Sequence, residues 1–212
     1  MKIVCVSDTH ARHRHFTTPP GDVLIHAGDI MNCGYKIGEI KDFNEWLADQ
    51  PQARKVVIAG NHDRLFESSL RGQELLTNAT YLENSGTTIN GVTFWGSPAQ
   101  PEFCNWAFNY KRGEEIARIW SRIPYNIDVL ITHGPPFGIL DWTKPGNGSL
   151  GCQDLKRRVQ EIKPKLHVFG HIHGGYGVFG EYDGGTIFAN ASLLNEAYQP
   201  VNRPIVIDLK ED

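Results

Sequence analysis

Eight short apolar, β-branched runs, interleaved with three segments of helical period, predict a layered α/β domain. The runs cover 3–6, 23–26, 56–59, 92–95, 129–132, 166–169, 186–189 and 205–209, and each is bounded by Gly, Pro, Asn or Asp, as buried strands are. In 39–49, Ile40, Phe43, Trp46 and Leu47 form one stripe and Pro51 stops the helix beyond it. In 112–122, Ile116, Ile119 and Trp120 share a side ahead of Pro124, and in 152–163 Leu155, Val159 and Ile162 do so ahead of Pro164. The stretches 97–112 and 134–151 read as long loops, and long loops in a compact domain are often functional.

Composition narrows the class. With 212 residues, 40% of them hydrophobic, the chain is expected to form a single domain over 1–212 with a full apolar core. The 22 Gly and 12 Pro are too many for a helix bundle. No apolar run approaches the ~18 residues of a membrane span, and Asp8 comes too soon for a secretory leader. A cytoplasmic location without a membrane partner is therefore expected. A net charge of −3 argues against a protein that coats nucleic acid, so no extended nucleic-acid partner is expected. Cys5, Cys33, Cys104 and Cys152 show no CxxC spacing, so reduced, mostly buried thiols are expected rather than disulfides or a thiolate zinc site.

The residues that follow five of the runs carry the chemistry. Asp8 and His10 follow the first, Gly28-Asp29 the second, and Gly60-Asn61-His62-Asp63 the third. His133 follows the run at 129–132, and Gly170-His171-Ile172-His173 follows that at 166–169. Open α/β sheets place their ligand sites at the C-terminal ends of strands. A lone Asp or His there is usually a turn residue or a cap, but five in chain order are not explained that way. In extended chain, the i, i+2 spacing of Asp8 with His10 and of His171 with His173 puts each pair on one face. Gly174-Gly175-Tyr176-Gly177 is expected to make the tight turn that faces the second pair inward.

Oxygen and imidazole donors without thiolate suit Mn²⁺ first, then Fe, Zn²⁺, Ni²⁺ or Co²⁺. Asp8, His10, Asp29, Asn61, His133, His171 and His173 exceed the needs of one tetrahedral ion. Two ions sharing one carboxylate is the economical reading, with Asp29 as the bridge. Such a pair clamps a phosphoryl group for in-line displacement and turns bound water into a nucleophile at neutral pH. The leaving oxygen still needs a proton. His62 is the candidate general acid, with Asn61 beside it and Asp63 as a partner that orients it.

This order of motifs resembles the calcineurin-like metallophosphoesterases. Asp8-Thr9-His10-x-Arg12-His13, Pro19-Pro20-Gly21-Asp22, Phe94-Trp95-Gly96-Ser97-Pro98, Thr132-His133-Gly134-Pro135-Pro136 and Asn190-Ala191-Ser192 extend the likeness to the MPPED-type branch, which groups with the class III cyclic-nucleotide phosphodiesterases. The resemblance implies a four-layer αββα sandwich with two mixed sheets. It implies one ion on Asp8, His10, Asp29 and His173 and a second on Asp29, Asn61, His133 and His171, with His62 on the phosphate. Some members have Gly in place of the first His of Gly-His-x-His; His171 is present here, which implies a competent catalyst. Protein phosphatases of the superfamily carry a second Asp soon after Gly-Asp that supports the acid histidine. Here Ile30-Met31-Asn32-Cys33-Gly34 follows Asp29 without one, which counts against that activity.

The expected reaction is hydrolysis of small phosphodiesters, 2′,3′- or 3′,5′-cyclic nucleotides first. A phosphomonoesterase or a dinucleotide polyphosphate hydrolase fits the same clamp. A non-catalytic nucleotide-binding scaffold is the reading from another class; its mark would be a missing ligand, and none is missing. Arg12 and His13 are candidate phosphate contacts, Trp106 and Phe108 candidate base-stacking rings in an aromatic-rich loop, and Tyr176 a further candidate contact. His15, His26 and His167 are assigned to structure. Exposed aromatic loops also permit a homodimer.

Overall fold

The computed structural model describes residues 1–68, 71–144, 148–180 and 185–210. Strands are numbered in chain order. One sheet sets β1 (Lys2–Val6), β2 (Val23–Ala27), β3 (Arg54–Ile58) and β4 (Thr80–Tyr81) parallel in that order, with β13 (Ile205–Asp208) antiparallel beyond β1. The other contains β5 (Ser85–Ile89), β6 (Val92–Ser97), β9 (Val129–Thr132), β10 (Leu166–Phe169), β11 (Gly177–Phe179) and β12 (Ile187–Asn190). Its order is β11-β12-β10-β9-β6-β5, a parallel centre with an antiparallel strand at each edge. A separate short parallel pair joins β7 (Gln100–Pro101) to β8 (Asn109–Tyr110).

Three apolar clusters divide the molecule into four layers. Between the sheets lie Ile3, Cys5 and Ile25 from one and Phe94, Ile131 and Val168 from the other. The alternate side chains Val4, Val6 and Leu24 point outward onto α1 (Ile37–Asp49), where Ile40, Phe43, Trp46 and Leu47 meet them, beside α2 (Arg64–Ser68) and α3 (Arg71–Leu75). Trp95 and Leu130 pack likewise on α4 (Glu114–Trp120) and α5 (Gln153–Ile162). This is the αββα sandwich of two mixed sheets flanked by helices. Central strands buried on both faces must be apolar throughout, which is why they stand out in the sequence.

All eight runs are strands and all three periodic segments are helices, with ends moved by a few residues. The elements without a sequence signal are short or polar. Strand β5 is a half-exposed edge, Ser-Gly-Thr-Thr-Ile, joined to β6 by Asn90-Gly91 with φ of 49° and 82°, the positive pair that a tight hairpin favours. Helices α2 and α3 are too short to display a period, and the 97–112 loop contains β7 and β8. The thiols correct another expectation: Cys5 and Cys152 are buried, but Cys33 and Cys104 are exposed. Among the described residues no helix is long and apolar enough to cross a membrane.

Candidate metal centre

The C-terminal ends of β1, β2 and β3 in one sheet and of β9 and β10 in the other open into one cleft of about 480 Å³. The candidate ligand residues sit just past those ends, and four of them are not in extended chain. Asp8, His10, Asp29 and His171 have φ of 53°, 42°, 54° and 66°, in the left-handed region. Such residues cost on the order of 1 kcal/mol or more each and cluster at functional sites. The convergence of each i, i+2 pair therefore comes from left-handed turns, and strand alternation does not produce it. The 3₁₀ turn His173–Gly175 follows, and a Cβ on Gly174 or Gly175 would overlap the carbonyls of Thr143 and Leu140.

Two groups of candidate ligands form, with ligating atoms of Asp8, His10 and His173 within 4.8 Å of one another, as are those of Asp29, His133 and His171; a third group, His10, Asp29 and His62, overlaps both. Asp29 stands between them: its Oδ2 is 3.6 Å from His10 Nε2 and 3.4 Å from His133 Nε2, while its Oδ1 accepts the His62 N–H at 2.8 Å. Asn61 Oδ1 lies 2.8 Å from His133 Nε2. His133 and His173 each donate Nδ1–H to a backbone carbonyl, of Ala27 and Asn195, at 3.0 Å. That bond fixes each ring with Nε2 aimed at the carboxylates, as metal-ligating histidines are held.

The electrostatics fit a divalent pair. His10 is buried and neither ring nitrogen has a hydrogen-bond partner, an expensive arrangement unless something takes a lone pair. Burial pushes His10 down to about 4 and His171 down to about 3, so both rings are neutral donors. Burial opposes ionisation of Asp29, yet His133 beside it outweighs this and holds its carboxyl well below the usual range. Glycine makes the approach possible at two points. A Cβ on Gly60 would overlap the Asp29 carboxylate, and one on Gly170 would overlap the Asp8 carboxylate and Ser7.

His62 opens on the cleft near both groups, with Nδ1 on the Asn32 carbonyl at 2.5 Å. Asp63 does not orient it. The Asp63 carboxylate accepts the N–H groups of Ile30, Met31 and Gly60 at 2.8–3.1 Å, which ties the Asp29 loop to the Asn61 turn. Of the softer candidates only Trp106 lines the cleft. His13 is buried on Asp42, Phe43 and Trp46; Phe108 is in the core; Tyr176 bonds the Arg203 carbonyl beside a neighbouring hollow; Arg12 is exposed outside the cleft. A histidine after a ligand pair and a ring in a long loop satisfy core packing as readily as binding, and only long-range contacts tell them apart.

Other residues complete the cleft, of which only Phe103 lies in the aromatic-rich loop that the sequence marks. Tyr198 sets its ring 4.9 Å from His10 and 5.3 Å from His173, and Phe103, Arg112 and Leu150 form a wall. Arg112 donates to the carbonyls of Leu150 and Gly151, which holds that wall together. His26 and His167 are structural, each bonding a threonine next to a candidate ligand, Thr9 and Thr132.

Residues 1–175 match the family model described as calcineurin-like phosphoesterase. The chain is 46% identical to the human metallophosphoesterase domain-containing protein 1 over 98% of its own length and 71% of that protein. It is 42% identical to a UPF0046 protein of Caenorhabditis elegans, over 97% of the chain and 74% of the relative. Among solved structures it resembles the TT1561 protein of Thermus thermophilus with a TM-score of 0.58, covering 89% and 88% of the two chains at 13% identity, a likeness of fold alone.

Proposed function

The chain belongs to the calcineurin-like phosphoesterase family, in its MPPED-type branch, and from that premise we propose a dinuclear metal-dependent phosphodiesterase for small nucleotides, 2′,3′- or 3′,5′-cyclic ones first. One observation carries the reading: Asp29 Oδ2 is poised between the two ligand groups, with His62 on the same cleft. Asp8, His10, Asp29 and His173 would hold one ion, and Asp29, Asn61, His133 and His171 the other, Mn²⁺ being the first to try. When bound, such a pair draws in the phosphate and brings the pKa of water near neutrality.

The chain's own residues supply the rest. The carbonyls of Ala27 and Asn195 keep His133 and His173 turned inward. His62 holds the proton for the leaving oxygen at Nε2 while Asn32 secures Nδ1. Phe103, 59% exposed on the cleft wall, suits a planar base better than Trp106, whose ring already stacks on His62.

The test is turnover by chelator-stripped protein, with and without Mn²⁺, on bis- and mono-4-nitrophenyl phosphate and a panel of cyclic nucleotides. Metal-dependent cleavage of the diester ahead of the monoester is expected. Preference for the monoester would favour a phosphomonoesterase, and two bound ions without turnover would favour a nucleotide-binding scaffold.

A further inference from the structure

We infer that Trp106 is a positioning residue for His62: it clamps the imidazole for proton transfer and is not a platform for a substrate base. The inference rests on the reading of His62 as the group that protonates the leaving oxygen.

An imidazole that delivers a proton must be held against rotation, commonly by a carboxylate on its other nitrogen. Asp63 is committed to backbone N–H groups, so His62 has no such partner from its own turn. Three contacts take its place. The Asn32 carbonyl accepts from Nδ1, the Trp106 ring stacks on the imidazole with centroids 4.1 Å apart at 23°, and His10 meets it edge-on at 4.5 Å and 85°.

Trp106 is itself held. The next two residues donate their N–H groups, Ala107 to the Asn61 carbonyl at 3.1 Å and Phe108 to Glu67 Oε1 at 2.6 Å. The Phe108 ring is sunk in the core with φ of 57°, and the Arg64 guanidinium lies 5.5 Å from the Trp106 ring. Phe108, a substrate contact by the sequence reading, is thus the anchor that aims Trp106. Because Ala107 bonds the carbonyl of Asn61, the stack moves with the turn that carries His62.

The test compares methyl phenyl phosphate with methyl 4-nitrophenyl phosphate, esters of similar size whose leaving phenoxides need much and little protonation. With Mn²⁺, Trp106→Ala is expected to lower kcat on the phenyl ester roughly 10²-fold and on the nitrophenyl ester less than about threefold, with KM nearly unchanged. Trp106→Phe should restore most of the loss, and Trp106→Ala should add nothing to His62→Ala. Equal losses on both esters, or a rise in KM alone, would overturn the inference.

A second readout needs no turnover. In the metal-free chain the indole should shift the His62 ring protons upfield, a shift lost in Trp106→Ala and partly kept in Trp106→Phe. If the wild type cleaves neither ester, the phosphodiesterase reading fails, and the spectra alone decide the positioning: an unshifted His62 ring sinks it.

Discussion

The Ser192 hydroxyl stands 2.9 Å from Asp8 Oδ2, across 184 positions of chain. Ser7 and Ser192 also form a lone parallel bridge, so the two sheets are stitched together where the candidate ligands emerge. Both Asp8 oxygens face the His171 N–H at 3.0 Å, and the serine adds the side-chain bond that sets the plane of the carboxylate. Ser192→Ala should therefore weaken the first ion about 10–100-fold, the usual range for a partner behind a ligand. Calorimetric titration with Mn²⁺ checks this, and an unchanged affinity would show that the bond does not tune the site.

Ion binding should release protons. Burial opposes a charge on His133 and His173, but Asp29 beside the first and Asp8 beside the second outweigh it and push both up to about 9. At pH 7.5 both rings are protonated without metal, and an ion must displace what it replaces. Titrations in buffers of different ionisation enthalpy should report about two protons released per chain, with affinity falling as pH drops below that range. Release of none would contradict the assignment of both rings as ligands.

Gly170→Ala should abolish binding of the first ion. Its Cβ would overlap the Asp8 carboxylate and Ser7, and neither can retreat: Asp8 is fully buried and Ser7 is bridged to Ser192. Overpacking of this kind costs about 1–3 kcal/mol of stability. Chemical denaturation and metal content measured on the same sample test both halves. Full loading with two ions would show that the loop yields more easily than its contacts indicate.

Acid should destabilise the chelated protein through two rings outside the centre. Burial holds His26 and His167 down to about 3, against about 6.5 in the unfolded chain. A base with a lowered folded pKa contributes stability that is full above the unfolded value and is lost as pH falls toward the folded one. His167→Gln, whose amide can still bond Thr132, should shrink the stability lost between pH 7 and pH 5 by about 2 kcal/mol. Urea unfolding at the two pH values measures it, and an identical loss in both proteins would place the acid sensitivity elsewhere.

The order of the elements was legible because two central sheets covered on both faces require unbroken apolar strands, and the loops that leave them do not. The same contrast exposed the candidate ligands: Asp29 after Val23–Ala27 or His133 after Val129–Thr132 is a polar residue directly beyond an apolar run, and both are buried. Strand β5 stayed hidden because an edge strand needs no apolar face. His13, Phe108 and Tyr176 were misplaced because a ring in a loop carries no local mark of whether it faces a cleft or the core.

By itself the sequence determined which donors exist, their chain order and the strand ends that deliver them, since residue type and hydrophobic pattern are local properties. Only the tertiary structure decided that Asp29 Oδ2 faces both His10 and His133, that Asp63 braces backbone, and that Asn32 and Trp106 hold His62. Those relations depend on left-handed turns at Asp8, His10, Asp29 and His171 and on the packing of one sheet against the other. Contacts between residues so distant in the chain are set by the shape of the whole core, which no window of sequence contains.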